Sequence, residues 1–284
     1  MEIIFSQLDE NNGRFQLAGC TTPFANSIRR AMIGEVPTLA IETVKIYDNT
    51  SALFDEMLTH RLGLIPIRSN EDCLVPQSRC SCGGEGCPAC CVIFTMSVEG
   101  AAMVYSRDLI SQDPRISPAE PDVPIVKLIK DQKVVLEARA VLSVGREHAK
   151  WQPTTACGYK VHPVIQVSDT CDGCGQCVDE CPRGILEVRN KRVAVIEGQL
   201  EKCSLCQLCM RACMNTVIGD EPGITVTTDE SRFLFVVEGD GSLPVREIIG
   251  QALEYIRTQS SELSAQIEEI TGEIEGMRVL LKKL

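Results

Sequence analysis

The chain has 284 residues, 44% hydrophobic and 4% aromatic, with a formal net charge of −11. That length can bury a real core in one to three domains, while the acidic balance excludes an extended nucleic-acid-binding face. No apolar stretch approaches the ~18 residues of a membrane span, and the start Met1-Glu2-Ile3-Ile4-Phe5 lacks the basic region of a signal peptide, so a soluble, cytoplasmic protein is expected.

Ile3, Ile4 and Phe5, a turn through Asn11-Asn12-Gly13, and Arg14 to Leu17 predict a hairpin. Thr22-Pro23 supplies an N-cap and a proline at the first helical position, so a helix should run from Pro23 to about Ile33. Phe24, Ile28, Ala31 and Met32 fall on its apolar side, with Arg29 and Arg30 pointing away. Pro37 to Tyr47 alternates as a strand. A short helix from about Ala52 carries Leu53, Met57, Leu58 and Leu62 and should end at Gly63 as its C-cap, after which Leu64 to Ile67 leave in extended form.

Sixteen cysteines in a chain without an export signal point to metal thiolates rather than disulfides, because a reducing cytosol keeps thiols free. Cys80, Cys82, Cys87 and Cys90 lie in a glycine-rich loop that can fold tightly round an ion, and four thiolates suit a closed tetrahedral zinc. An unliganded loop or a regulatory thiol cluster is the alternative. Cys91 opens the apolar strand Cys91 to Phe94 and is expected to be buried there. Met103 to Val123 reads as a surface loop with short helical turns, and Ile125 to Leu128 and Val134 to Leu142 read as strands. Trp151, the single tryptophan, reads as a buried anchor with His148 satisfied locally rather than catalytic. Tyr159 to Val167 is extended.

Two runs then dominate: Cys171, Cys174, Cys177 and Cys181, and Cys203, Cys206, Cys209 and Cys213, both C-x2-C-x2-C-x3-C. With this spacing the first three thiolates of a run grip one cubane and the fourth reaches to the other run's cluster. The expected sets for two [4Fe-4S] clusters are therefore Cys171, Cys174, Cys177 with Cys213, and Cys203, Cys206, Cys209 with Cys181. Zinc knuckles are the competing reading, which the full tandem spacing disfavours. Gly184 to Val188 and Val193 to Ile196 predict a hairpin between the runs, and a second copy begins at Cys213 to Ile218, giving an internal repeat of the two-cluster ferredoxin kind. Met214 stands where a proline usually follows the last cysteine, which should alter the turn and leave the cluster.

Gly223 to Thr227 and Phe233 to Val237 predict two strands. From Pro244 a long helix carries Ile249, Leu253, Ile256, Leu263, Ile267, Ile270, Ile274, Met277, Leu281 and Leu284 in a heptad seam. Such a helix is longer than its own domain needs, which favours a partner helix. No P-loop, G-x-G-x-x-G, H-E-x-x-H or G-x-S-x-G occurs, and the three histidines lie near no nucleophile. No catalytic residue is expected.

Three stretches, Pro23 to Met32, Val36-Pro-Thr-Leu-Ala-Ile41 and Glu56 to Ile67, together with Gly145 to Pro153 and Phe233 to Pro244, resemble the D subunit of archaeal DNA-directed RNA polymerase, related to the bacterial alpha subunit. The resemblance runs through nearly the whole chain, in order. It implies an α+β fold: a discontinuous dimerisation domain (1–42 and 224–284) with the long C-terminal helix, a mostly β insert domain (43–167 and 218–223) with the Cys-rich loop 80–91, and a ferredoxin-like domain (168–217) inserted in it. It also implies a non-catalytic scaffold that pairs with subunit L, mounts the second-largest and largest catalytic subunits and carries small subunits N and P. Arg29, Arg30, His60 and Arg61 would lie in motifs facing these partners, and DNA would be met only through the complex. Eukaryotic relatives carry a zinc loop of similar spacing, with one residue fewer between the second and third cysteines. The competing function is a ferredoxin-type electron-transfer subunit of an oxidoreductase, which leaves the heptad seam unexplained.

Overall fold

The computed structural model describes residues 1–68, 74–214 and 222–281, and in the last helix describes side chains as far as Thr271. A hairpin of β1 (Glu2–Leu8) and β2 (Asn12–Ala18) precedes α1 (Thr22–Gly34). On α1 the small and apolar Ala25, Ile28, Ala31 and Met32 are buried, Arg30 is exposed, and Arg29 is half-buried with its guanidinium donating to Asn26 Oδ1 at 3.0 and 3.2 Å.

After β3 (Pro37–Asn49), α2 (Asp55–Gly63) begins three residues later than its apolar spacing predicts. The delay has a cause in the intervening turn, where Asn49 Nδ2 donates to Leu53 O at 2.9 Å and to Asp55 Oδ1 at 2.7 Å. Gly63 is the last helical residue rather than the C-cap. The N–H groups of Leu64 and Ile65 close on the carbonyls of Arg61 and Leu62, so the helix ends in a tightened turn that needs no left-handed residue.

The following strands are β4 (Ile67–Arg68), β5 (Cys91–Glu99), β6 (Met103–Tyr105), β7 (Ile110–Ser111), β8 (Ser117–Pro118), β9 (Pro124–Lys127), β10 (Lys133–Val144) and β11 (Thr154–Val167). A six-stranded sheet has the order β7-β5-β10-β3-β4-β8, with β10 antiparallel to β3 on one side and β5 on the other. Val134, Leu136, Ala138 and Ala140 alternate from β10 into a core that includes Leu39, Ile41, Phe94 and Met96 of the flanking strands and Leu58 and Leu62 of α2. The segment from Met103 to Val123, expected as loop, contributes three short strands. Buried Ser106 organises it, its hydroxyl donating to Glu120 O at 2.5 Å and accepting from Val123 N at 3.1 Å.

The remaining elements are α3 (Gln176–Asp179), β12 (Leu186–Arg189), β13 (Arg192–Val195), α4 (Leu208–Met214), β14 (Ile224–Gly239) and α5 (Val245–Leu281). The strands expected at Gly223 to Thr227 and Phe233 to Val237 are parts of one continuous strand. Its middle, Thr227 to Arg232, is largely exposed and so carries no apolar alternation to betray it. A four-stranded sheet has the order β1-β2-β14-β11.

By contacts the chain falls into two compact units, one of Met1–Ser6, Phe15–Ala25 and Tyr159–Phe235, the other of Gln7–Arg14, Asn26–Gly158 and Val236–Leu284. The first contains the cysteine runs and an aromatic cluster in which Phe15 stacks on Phe235 at 4.8 Å and Tyr159 meets Phe233 edge-on at 5.5 Å. The second contains the six-stranded sheet, Trp151 and α5. Trp151 is buried, donates from Nε1 to Val141 O at 3.1 Å and accepts at its carbonyl from Thr38, while His148 Nδ1 accepts from Lys150 N. His148 thus caps a local turn.

At ~1.5 Å per residue α5 is about 55 Å long. Val245, Ile248, Ile249 and Ala252 near its start are buried, but Leu263, Ile267 and Ile270 are 58%, 54% and 55% exposed. Of the remaining seam positions, Ile274, Met277 and Leu281 have only their backbone described, and Leu284 lies outside the described residues.

Gly145 reports how closely the chain is packed where the second unit turns past α1. A Cβ there would sit 2.2 Å from Ile33 O and 2.7 Å from Gln152 Cγ. Gly145→Ala is therefore expected to lower stability by about 1–3 kcal/mol, read as a fall in the denaturation midpoint without loss of iron.

Candidate metal centres

The loop before β5 is tied down by its own backbone: Gly83 N–H bonds Cys80 O, and Cys90 and Cys91 N–H both bond Cys87 O. These turns bring Cys80, Cys82, Cys87 and Cys90 together with all sulfurs within 4.8 Å of one another. The separations are 3.5 Å for Cys80 and Cys87, 3.6 Å for Cys82 and Cys90, and 4.0 Å for Cys87 and Cys90. A tetrahedron with Zn–S bonds of ~2.3 Å has edges of about 3.8 Å, so the donor set fits zinc in number, softness and spacing. The backbone N–H groups of Cys87 and Gly86 draw the Cys82 thiol down to about 5, whereas burial pushes Cys90 up to about 12. Cys82 is the thiolate the loop prepares in advance, and a divalent ion, where bound, would supply the charge that deprotonates the others. Cys91 stands apart, buried with Ala40, Val141 and Trp151 at the start of its strand.

The two runs repeat each other in conformation as well as spacing. In the first, Gly173 and Gly175 are left-handed and α3 follows; in the second, Leu205 and Gln207 are left-handed at the equivalent positions and α4 follows. Each run is thus a loop bent twice the wrong way for an L residue, leading into a helix that carries its third cysteine. The helices pack against each other, and β12 and β13 pair antiparallel through a turn with left-handed Asn190 and Lys191.

The neighbours of the third cysteines fall into two groups. Burial pushes Cys177 up to about 11, and the charges that raise it further are those of Cys213, Cys171 and Cys174. Burial also raises Cys209, whose thiolate neighbours are Cys181, Cys203 and Cys206. One cavity is walled by Cys181, Cys203, Cys206 and Cys209 together, with Ile165, Ile185, Leu186 and Val226 as its apolar side. Among the described residues, only the loop at 80–90 brings its sulfurs within the spread of a single ion. A thiolate-only donor set with an apolar wall fits an iron–sulfur cluster, whose chemistry is one-electron exchange.

The family comparisons agree with this division. Residues 44–159 match the RNA polymerase Rpb3/RpoA insert domain, and residues 170–217 match the 4Fe-4S dicluster domain. DNA-directed RNA polymerase subunit Rpo3 of Methanosarcina acetivorans is 46% identical over 271 residues, spanning 95% of this chain and 99% of the relative. The Rpo3 of Methanosarcina mazei is 47% identical over the same length and coverage, and that of Archaeoglobus fulgidus 44% identical over 257 residues, 90% of this chain and 94% of the relative. The chain belongs to the Rpo3 family.

In this Rpo3-family chain the dicluster segment leaves from β11 and returns into β14, and Ser168 N–H bonds Gly223 O at 2.9 Å across its base. Gly223 N–H in turn lies 3.1 Å from Cys213 Sγ. Residues 215–221, where the second hairpin copy was expected, lie outside the described residues. No helix among the described residues is long and apolar enough to cross a membrane. Two contributions were missed in the sequence. The left-handed Leu205 and Gln207 could have been found by laying the second run on the glycines of the first. Lys160, which donates to Cys203 O at 2.8 Å and also to Glu201 O, carries no local signal.

The loop conformation can be tested in both directions. A Cβ at Gly173 would lie 2.6 Å from Lys191 O at a φ of +73°, so Gly173→Ala should speed loss of iron to a chelator several-fold. Gln207→Gly relieves a left-handed residue at φ 61°, worth roughly 1 kcal/mol, and should slow that loss.

Proposed function

We propose that this chain is the assembly platform of its RNA polymerase and contributes no catalytic residue of its own. It pairs with subunit L through a dimerisation domain of residues 1–42 and 224–284. On that heterodimer the second-largest and then the largest catalytic subunits are mounted, with N and P attached. The insert domain (43–167 and 218–223) and the ferredoxin-like domain (168–217) branch from it. The reading places the protein in the cytoplasm, with DNA met only through the assembled enzyme. Its carrying observation, beyond family membership, is the row Leu263, Ile267 and Ile270, exposed at heptad spacing on a helix far longer than its buried part.

Within that platform, two [4Fe-4S] clusters are held by Cys171, Cys174, Cys177 with Cys213, and by Cys203, Cys206, Cys209 with Cys181. The grouping of charges round Cys177 and Cys209 supports these sets. Their work is to hold the domain together, with redox sensitivity as a consequence. Zinc occupies Cys80, Cys82, Cys87 and Cys90, supported by the sulfur spacings of that loop.

The triple change Leu263→Glu, Ile267→Glu and Ile270→Glu should abolish co-purification with L while iron content is kept. Retention of L would overturn the platform reading, as would recovery of a dehydrogenase in place of large polymerase subunits. Cys171→Ser or Cys203→Ser should lose iron yet still bring L down; loss of L would mean that clusters and pairing are not separable. In a chain with the run cysteines replaced by serine, zinc should persist and should disappear on adding Cys82→Ser. Absence of zinc before that last change would remove the ion from the loop.

A further inference from the structure

The two runs share spacing and conformation but not electrostatic surroundings. Laid on each other, Asp172 of the first run falls at the position of Ser204 in the second. The Asp172 carboxylate accepts from Cys174 N at 3.0 Å, which fixes a negative charge beside that ligand. At the second run, Arg183 and Ser204 line the same cavity as Cys181, Cys203, Cys206 and Cys209. Lys160 is the strongest element of the asymmetry. It is half-buried on β11 and donates to the carbonyls of Glu201 and Cys203, which sets its ammonium beside the first ligand of the second run. Asp172, Arg183 and Ser204 are exposed, so solvent screens them more than it screens Lys160.

An iron–sulfur cluster gains one negative charge on reduction, so nearby cations and donors to its sulfurs stabilise the reduced form, and a nearby carboxylate opposes it. We propose that the two clusters have unequal reduction potentials, and that Lys160, with Arg183 and Ser204, makes the cluster of Cys203, Cys206, Cys209 and Cys181 the one that accepts an electron first. The step is the transfer of one electron from an external reductant to that cluster, with no bond made or broken in the protein. Lys160 is a positioning residue, acting through its charge and through the carbonyls it holds. The inference rests on the two ligand sets proposed above and adds which of them is reduced first.

The test is a redox titration of the full chain, purified anaerobically, with dithionite as reductant and electron paramagnetic resonance as readout, alongside iron and sulfide analysis. The parent should show two separated reductive waves. Lys160→Met should reduce the ratio of reduced to oxidised cluster at fixed potential about tenfold for the upper wave, equivalent to about 59 mV, and leave the lower wave in place. Lys160→Arg should restore the upper wave, which a purely steric role for the lysine would not predict. Asp172→Asn should raise the lower wave, and this arm stands even if Lys160→Met loses iron. Coincident waves in the iron-replete parent, a shift of the lower wave in Lys160→Met, or no response to Asp172→Asn would overturn the proposal. A parent lacking two four-iron signals would instead overturn the ligand sets on which it rests.

Discussion

Sulfur takes the place of hydrocarbon in the interior of the dicluster segment, and that substitution needs something to hold it. Cys177, Cys203, Cys209 and Cys213 are buried in one cluster with Ile185, Leu186, Val193, Ile224 and Val226, with Cys171 and Cys181 packed at its edge. As thiolates they would repel one another, which is what raises Cys177 and Cys209 beyond the effect of burial alone. As thiols they would offer only weak hydrogen bonds and modest apolar area. Iron bound to the same sulfurs turns this mutual repulsion into attachment, and metal binding becomes folding free energy. The strained loop backbone then has an explanation, since Leu205 and Gln207 in left-handed conformations cost about 1–2 kcal/mol each and are retained only where the surroundings determine them.

The 80–90 loop solves the same problem on a smaller scale. Its four sulfurs converge on the edge lengths of a single-ion tetrahedron, and its preformed part is the backbone, whose amides stabilise Cys82 as a thiolate. Two kinds of cysteine site thus stand in one chain, four sulfurs converging directly on one another in the 80–90 loop and four lining a cavity in the runs. Cysteine count alone would not have made that separation.

Much of this was legible in the sequence, for reasons that differ by element. The runs announced themselves because ligand spacing is a local property, and α1, α2, β10 and α5 because their apolar positions recur at helical or strand period. The exposed middle of β14 was hidden, since a strand whose residues face solvent on both sides has no alternation to read. The short strands between Met103 and Val123 were hidden as well. They depend on Ser106, a polar residue whose burial is decided by Glu120 and Val123, more than ten positions away. The start of α2 depended on Asn49, whose side chain competes with the helix for the backbone ahead of it. Family resemblance supplied what periodicity could not, namely that these pieces belong to one subunit. It did not supply Lys160, whose partners are carbonyls beyond the first run.

The base of the inserted segment bears on how far events at the clusters can travel. Ser168 and Gly223 are joined by a backbone hydrogen bond, so the strands that flank the insertion already meet with their ends together. Disorder inside the loop would then change the closure entropy felt by those strands only slowly, by about 0.6 kcal/mol per doubling of loop length. Against this, Gly223 N–H also lies on Cys213 Sγ, and a Cβ on Gly223 would lie only 3.2 Å from Cys171 Cα. The start of β14 therefore lies against Cys213 and Cys171, whereas the cavity of Cys181, Cys203, Cys206 and Cys209 meets the same strand at Val226, and Lys160 ties β11 to Cys203. The hydrogen bond from Gly223 to Cys213, worth about 1 kcal/mol net, adds to the apolar packing of Ile224 and Val226 against the buried cysteines. Loss of metal from the runs would therefore be felt first at Gly223 to Val226 and at Lys160 of β11, while β14 beyond Thr227 lies outside that core.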